Sequence, residues 1–322
     1  MNILITSASR KVSLVNSFKE AILKEGYKGK VYAADISPLS PALYSADECL
    51  LLPASASPGF IKKVIELCLQ KDIKLLIPTR DEELPLFAYH KDTFTKAGVT
   101  VMVGSSETVN LCQNKAEFID FCKKNGFLVP KVYSAYDING DVPFPLFIKP
   151  CVGKGGRFTR VVNNKLEIEA ALMAMPDAII QEYLDLPEYT IDVFCNFKGD
   201  VISVVPRERI NVFGGESFTG CPVNNPVLIE EAVRIAKTLK LIGHNTIQCF
   251  WDGYLVKFIE VNPRFGGGAI LSIKAGLNSP GFLIRLIAQE EVLPCIGEFT
   301  NNLYMLRYVE DVFVEKEALI AC

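Results

Sequence analysis

The first hundred residues alternate short apolar runs with longer amphipathic ones, and that alternation leaves few ways to fold. NILITSA, GKVYAADIS, IKLLIPTRDEE and VTVMVGS read as strands. VSLVNSFKEAILKEG and PGFIKKVIELCLQKD carry apolar residues at helical spacing. Apolar strands separated by amphipathic helices imply a parallel sheet covered on both faces. Ligands of such sheets gather at the carboxyl ends of the strands. Those ends carry Ser7, Ser9, Arg10, Asp35, Thr79, Arg80 and Asp81. The first strand–helix turn, TSASRKVS, lacks G-x-G-x-x-G, which argues against a nicotinamide-dinucleotide dehydrogenase.

The pattern changes near Val109. VNLCQNKAEFIDFCKKNGFLVP predicts one helix ending at Gly126, with Pro130 as its stop signal. FPLFIKP, FTRVV, AIIQEYL, EYTIDVFCNF, DVISVVPRERI, NTIQCFW and YLVKFIEVN follow as strands, with helices near 165–175 and 226–241. Short turns between the late strands predict antiparallel sheets with helices packed on them. The chain therefore reads as an α/β protein: a parallel α/β domain over 1–109, a small α+β lobe over 110–183 and a larger one over 184–322.

A formal charge of -3 argues against a nucleic-acid footprint. With 49% hydrophobic and 22% charged residues, the chain has the means for a large core. No apolar run reaches the length of a membrane span, and no cationic leader precedes the short apolar run at the N-terminus. The expectation is a cytoplasmic protein without nucleic-acid or membrane partners. Ten cysteines form no C-x-x-C pair and read as buried, reduced thiols. His90 and His244 are the two histidines and lie in unrelated contexts, which disfavours histidine-based metal or triad chemistry.

The chemistry concentrates in four stretches. In FIEVNPRFGGG, strand alternation puts Glu260, Asn262 and Arg264 on one face. A three-residue loop, Trp251–Asp252–Gly253, with Gly253 left-handed and a bulge, would bring Gln248 beside Glu260. One carboxylate and two amides make an oxygen-only cluster, suited to Mg2+ held against phosphates and poorly suited to zinc. A polar strand face open to solvent is the plainer reading; the three glycines behind it favour close backbone approach to a ligand. In FIKPCVGKGGRFT, Lys149 ends an apolar strand beside a loop of Gly153, Lys154, Gly155 and Gly156. Free amides there can drape over phosphates, although the order is not that of a P-loop; a hairpin turn with a solvated lysine competes. Lys115, in NKAEF, is either a second phosphate-binding ammonium or a surface lysine. In IIQEYLDLPEYTID, Glu182 and Glu188 flank a linker that either meets a nucleoside or forms a hinge with exposed acids. Finally, VPRERINVFGGESFTG places Arg207 and Arg209 on one strand face, either to clamp a substrate carboxylate or to meet solvent, with Glu216 after two glycines. Ser7, Ser9, Arg10 and Asp81 could line the same pocket from the other side.

In chain order these stretches resemble the ATP-grasp superfamily, and within it one synthetase unit of the carbamoyl-phosphate synthetase large subunit. FIEVNPRFGGGAILSIKAG is the most specific part, and FIKPCVGKGG supports it. The resemblance implies a pre-ATP-grasp domain followed by two lobes that hold ATP between antiparallel sheets. Lys115 and Lys149 would bind the α- and β-phosphates under a loop from Gly153 to Gly156. Glu182 and the Tyr183–Leu184 backbone would meet adenine, and Glu188 the ribose. Gln248, Glu260 and Asn262 would hold Mg2+ or Mn2+, and Arg264 would neutralise the transferred phosphoryl group, with Lys149 assisting. The phosphate-binding positions are lysines where the carbamoyl-phosphate enzyme has arginines, a feature of single-unit carboxylate-amine and carboxylate-thiol ligases. The implied activity is ADP-forming ligation of a small carboxylate to an amine or other nucleophile, and the family implies a homodimer. Kinase- or carboxylase-like chemistry, or nucleotide binding without turnover, are the alternatives.

Overall fold

A computed structural model describes every residue except 135, 136, 139, 154, 155, 157 and 320–322. Strands β1 (Asn2–Thr6), β2 (Val31–Asp35), β3 (Glu48–Leu51), β4 (Ile73–Pro78) and β5 (Thr100–Val101) form a parallel sheet in the order β3-β2-β1-β4-β5. The chain runs outward through β2 and β3, then returns across β1 to β4. The sheet thus reverses between β1 and β4, where their carboxyl ends open a crevice. Half-buried β3 was not foreseen from DECLL, which sits at the sheet edge.

Alternation along β1 assigns the two faces. Leu4 joins a core with helices α2 (Phe60–Gln70), α3 (Leu84–Tyr89) and α4 (Lys91–Lys96). Ile3 and Ile5 face helix α1 (Val12–Lys24) and share a core with Phe194, Ile202, Val205 and Phe265 from the C-terminal half. One hydrophobic core therefore spans the parallel sheet and the larger lobe.

The single helix expected to end at Gly126 is two: α5 (Ser106–Gln113) and α6 (Lys115–Lys124). Asn114 breaks it. Its backbone is extended, and its Oδ1 accepts from the Ala116 and Glu117 amides at 3.1 and 3.3 Å, capping α6. The break makes Lys115 the first residue of α6. Val109, the expected boundary, lies inside α5.

Strands β6 (Val132–Tyr133), β7 (Leu146–Pro150), β8 (Arg160–Val162) and β9 (Ala178–Glu182) form an antiparallel sheet in the order β6-β9-β7-β8. With helix α7 (Lys165–Ala174) this small lobe has a core of its own, including Leu146, Ile148, Ile168 and Ile180. The larger lobe is a six-stranded antiparallel sheet, in the order β14-β13-β10-β11-β12-β15. Its strands are β10 (Glu188–Cys195), β11 (Val201–Phe213), β12 (Glu216–Pro222), β13 (Gly243–Trp251), β14 (Val256–Asn262) and β15 (Met305–Leu306). Helix α8 (Pro226–Thr238) covers one face, with α5 and α6. Helices α9 (Ala269–Ala275) and α10 (Ser279–Ile287) join the core shared with the parallel sheet. Neither helix was expected from the sequence, nor was β12, whose glycine and proline mask its alternation.

The nine described cysteines are free and six of them are buried. Among the described residues no single helix is long and apolar enough to cross a membrane. Because Asn114 supplies the cap of α6, Asn114→Ala should lower stability by about 1 kcal/mol, read as a fall in the urea midpoint at unchanged slope.

Candidate active site

Strand register builds the centre of the site. Gln248 on β13 stands directly opposite Glu260 on β14. The route differs from the expected three-residue loop: Trp251 pairs with Val256, so the turn is Asp252–Leu255, four residues. Asp252 Oδ1 accepts from the Tyr254 and Leu255 amides at 2.9 and 2.8 Å, and Gly253 takes φ +102°. With that turn alone Gln248 would face Ile259. A bulge corrects the register, since Cys249 pairs with Phe258 and the next pair is Gln248 with Glu260. Asn262 Nδ2 then donates to Glu260 Oε1 at 3.0 Å and reaches Gln248 Oε1 at 3.4 Å.

Two ammoniums flank Glu260. Lys115 Nζ lies 3.6 Å from Glu260 Oε2 and donates to the Gly153 carbonyl at 2.8 Å. Lys149 is 4% exposed, so the solvated-lysine reading fails. Burial pushes its pKa down to about 8; the Glu260 charge opposes this and Lys115 reinforces it. The Lys115 amide donates to the Cys151 carbonyl at 3.1 Å, and Cys151 Sγ contacts Asn114 Oδ1 at 3.0 Å, which ties the start of the glycine loop to α6. Lys154 and Gly155 of that loop lie outside the described residues.

The linker between lobes is flanked as expected, and its acids have partners. Glu182 accepts from Lys257 Nζ at 2.7 Å and from the Lys131 amide at 2.9 Å. Tyr183 is exposed and Leu184 half-buried. Glu188 Oε1 accepts from Gln248 Nε2 at 2.7 Å and lies 3.3 Å from Arg209 Nε, which joins the linker to the Glu260 cluster.

Arg264 reaches across to the parallel sheet. Its Nε and Nη2 meet Asp81 Oδ1 and Oδ2 at 2.6 and 2.5 Å, a bidentate pair at the crevice between β1 and β4. In the same crevice the Ser9 amide donates to Asp35 Oδ2 at 2.8 Å. Lys11 Nζ donates to the Ser7 carbonyl at 3.2 Å, and burial, then Arg264, bring its pKa down to about 8. Glu216 sits 3.0 Å from Arg307 Nη1 and 3.9 Å from Arg10 Nη2, so Arg10 and Glu216 do meet.

Arg207 and Arg209 share a face, but neither guanidinium waits for a substrate. Arg207 is buried on Asp192, with Nε to Oδ2 at 2.8 Å. Arg209 is held by Glu188 and the Gly215 carbonyl. The glycine run also has a different cause from the one expected. A Cβ on Gly266 would lie 2.8 Å from Thr246 Oγ1, one on Gly267 3.0 Å from the Glu216 carboxyl carbon, and one on Gly268 2.5 Å from Arg207 Nη1. Polar side chains of the protein, rather than a ligand, fill the space these glycines leave.

Sequence reading left Lys11, Asp192 and Arg307 out of the site and gave Asp81 no partner. Asp192 had a signal, a lone charge inside the apolar strand YTIDVF. Arg307, in NNLYMLRYVED, had none. As a metal site, Gln248, Glu260 and Asn262 offer one carboxylate and two amide oxygens, a donor set that fits Mg2+ when phosphates supply further oxygens. Among the described residues no group of three or more His, Cys, Asp or Glu side chains is gathered for a metal.

Residues 3–102 match the family described as PylC-like, N-terminal domain, and residues 174–306 match that described as ATP-grasp in the biosynthetic pathway with Ter operon. The carbamoyl phosphate synthase large chain of Clostridium acetobutylicum is 26% identical over 193 residues, covering 54% of this chain. The chain spans only 18% of that relative's length. The biotin carboxylase of Campylobacter jejuni, solved with β,γ-ATP, superposes with TM-score 0.73 at 20% identity, covering 94% of this chain and 74% of that one. The L-amino acid ligase of Bacillus licheniformis gives 0.65 at 18%, covering 91% and 77%. The resemblance to ATP-grasp proteins drawn from the motifs is borne out, and the fold is theirs.

Burying Lys149 has a sign that can be tested. Its pKa falls from 10.5 to about 8 on folding, so between those values the unfolded chain holds a proton the folded chain lacks, and stability rises with pH. At pH 7 the buried cation is a burden. Lys149→Met should stabilise the ligand-free chain by about 1–2 kcal/mol at pH 7, with the gain shrinking toward pH 10, as urea midpoints at the two pH values will show.

Proposed function

We propose that this chain is an ADP-forming ligase, using MgATP to activate a small carboxylate as an acyl phosphate for attack by an amine. One observation carries the reading: Lys115, Lys149 and Glu260 converge between the antiparallel sheets, while Arg264 reaches the parallel sheet's crevice. A carboxylate resists an amine because its leaving oxygen is poor. Phosphorylation supplies a good leaving group, and the protein's part is positioning and charge neutralisation.

In this reading Lys115 and Lys149 bind the α- and β-phosphates, and the loop around Gly153 and Gly156 covers them. Glu188 meets the ribose hydroxyls, giving up its bond to Gln248, and the Glu182–Leu184 backbone faces adenine. Gln248, Glu260 and Asn262 would hold Mg2+, which when bound neutralises phosphate charge as a Lewis acid. Arg264 exchanges Asp81 for the phosphoryl group, bringing a guanidinium to the developing charge. Released from Arg264, Asp81 faces the crevice where the acceptor enters past Ser9, Arg10 and Glu216. Arg207 and Arg209 act from beneath, through Asp192 and Glu188. The ligase among the proteins of this fold, and the absence of arginine at positions 115 and 149, support amine ligation over carbamoyl phosphate synthesis. A homodimer belongs to the same reading, supported by a biotin carboxylase domain of this fold solved as a dimer.

A panel of amino acids and small carboxylates, assayed for MgATP-dependent ADP release with mass detection of the product, tests the proposal. Glu260→Ala and Arg264→Ala should each lower turnover about a hundredfold or more while circular dichroism stays unchanged. Full turnover in Glu260→Ala would refute the metal assignment.

A further inference from the structure

Lys11 has no part in the scheme above, yet it stands at the crevice where the acceptor enters. It is the cap residue of α1 and is half-buried. Its ammonium donates to the Ser7 carbonyl at 3.2 Å. Among the described residues it has no carboxylate within ion-pair distance. Burial and Arg264 disfavour its charge and outweigh the help of Asp35, Glu216 and Glu83 nearby. The cation is therefore under-compensated where it stands.

The three acids cannot easily do more, because each is already engaged. Asp35 accepts from the Ser9 and Ser37 amides at 2.8 and 3.2 Å. Glu83 accepts from the Thr6 and Ser7 hydroxyls at 2.8 and 2.6 Å. Glu216 stands between Arg307 and Arg10, at 3.0 and 3.9 Å. Arg10, Arg307 and Arg264 thus each have a carboxylate, and Lys11 has a carbonyl. An acid brought to Lys11 would pair with it directly and would also meet the positive end of α1, whose cap residue makes no side-chain capping bond.

We infer that the acceptor is an amine that also carries an acid group, an amino acid in the first instance, and that this acid group pairs with Lys11. The inference rests on the ligase reading and names the acceptor's class within it. In that reading the acceptor's ammonium replaces the guanidinium of Arg264 on Asp81, one positive charge for another. A simple amine would stop there and leave Lys11 as it is. An acid group on the same molecule gives Lys11 the partner the chain does not supply.

The test uses matched pairs, with the small carboxylates of the panel as donors. On the full chain, MgATP-dependent ADP release is compared for each amino acid, its carboxamide and its decarboxylated amine, and for phosphoethanolamine beside ethanolamine. Members that carry the acid should exceed their partners about a hundredfold in kcat/KM. Lys11→Met should raise KM for the accepted amine about tenfold or more and leave KM for MgATP within about twofold. Lys11→Arg keeps the charge and should recover most of that loss, which separates a lost ion pair from a folding defect. Turnover with phosphoethanolamine and with no amino acid would keep the subsite and make its acid a phosphate. Equal turnover of a decarboxylated amine, or an unchanged acceptor KM in Lys11→Met, overturns the inference while the ligase reading stands. If no member releases ADP, the ligase reading falls and thermal melts decide the subsite. Amino acids or phosphoethanolamine should then raise the melting temperature of wild type and not of Lys11→Met. Equal rises in both, or none in wild type, overturn the inference as well.

Discussion

One buried negative charge organises the larger lobe. Asp192 is fully buried and accepts from Arg207 at 2.8 Å, Ser272 at 2.6 Å and Thr246 at 2.9 Å, with His244 Nε2 3.5 Å away. Burial alone would raise its pKa; Arg207 and His244 hold it well below the usual carboxylate range. A charge so placed tolerates no loss of partner, because the remaining ion would be left without compensation. Its donors come from β11, β13 and α9, so satisfying one carboxylate fixes three elements at once. Thr246 and Arg207 then dictate that residues 266 and 268 have no side chain, and that turn delivers Arg264 to the crevice.

The cleft carries the opposite kind of arrangement. Lys115, Lys149 and Glu260 leave an excess positive charge in a partly dry space, and Lys149 sits there at the expense of stability. Such an arrangement is typical of sites that wait for an anion, since the ligand completes the compensation the fold leaves open. Arg264 solves the same problem differently. It is fully paired with Asp81 before any ligand arrives, so in the proposed mechanism it would have to exchange partners.

Much of this was legible in the chain. The alternation of apolar runs gave the parallel sheet, and side-chain alternation in FIEVN put Glu260 and Asn262 on one face. What escaped depended on partners distant in sequence. Nothing local says that Arg207 will meet Asp192, so two arginines on a strand read either as a clamp for a ligand or as a face open to solvent. The glycine run likewise read as room for a substrate because Thr246, Glu216 and Arg207 lie far from it along the chain. Asn114 broke a helix that periodicity favoured, since its capping bonds outweigh the continuity of the apolar stripe. The bulge beside Gln248 restored a register that the four-residue turn would have shifted.

The pairing of Asp81 with Arg264 spans 183 positions and sits above a core that both halves of the molecule share. Nature therefore cannot treat the front third of this protein as an exchangeable cassette. A replacement taken from another lineage would have to bring both a carboxylate at the end of its fourth strand and an apolar underside shaped to Phe194 and Phe265.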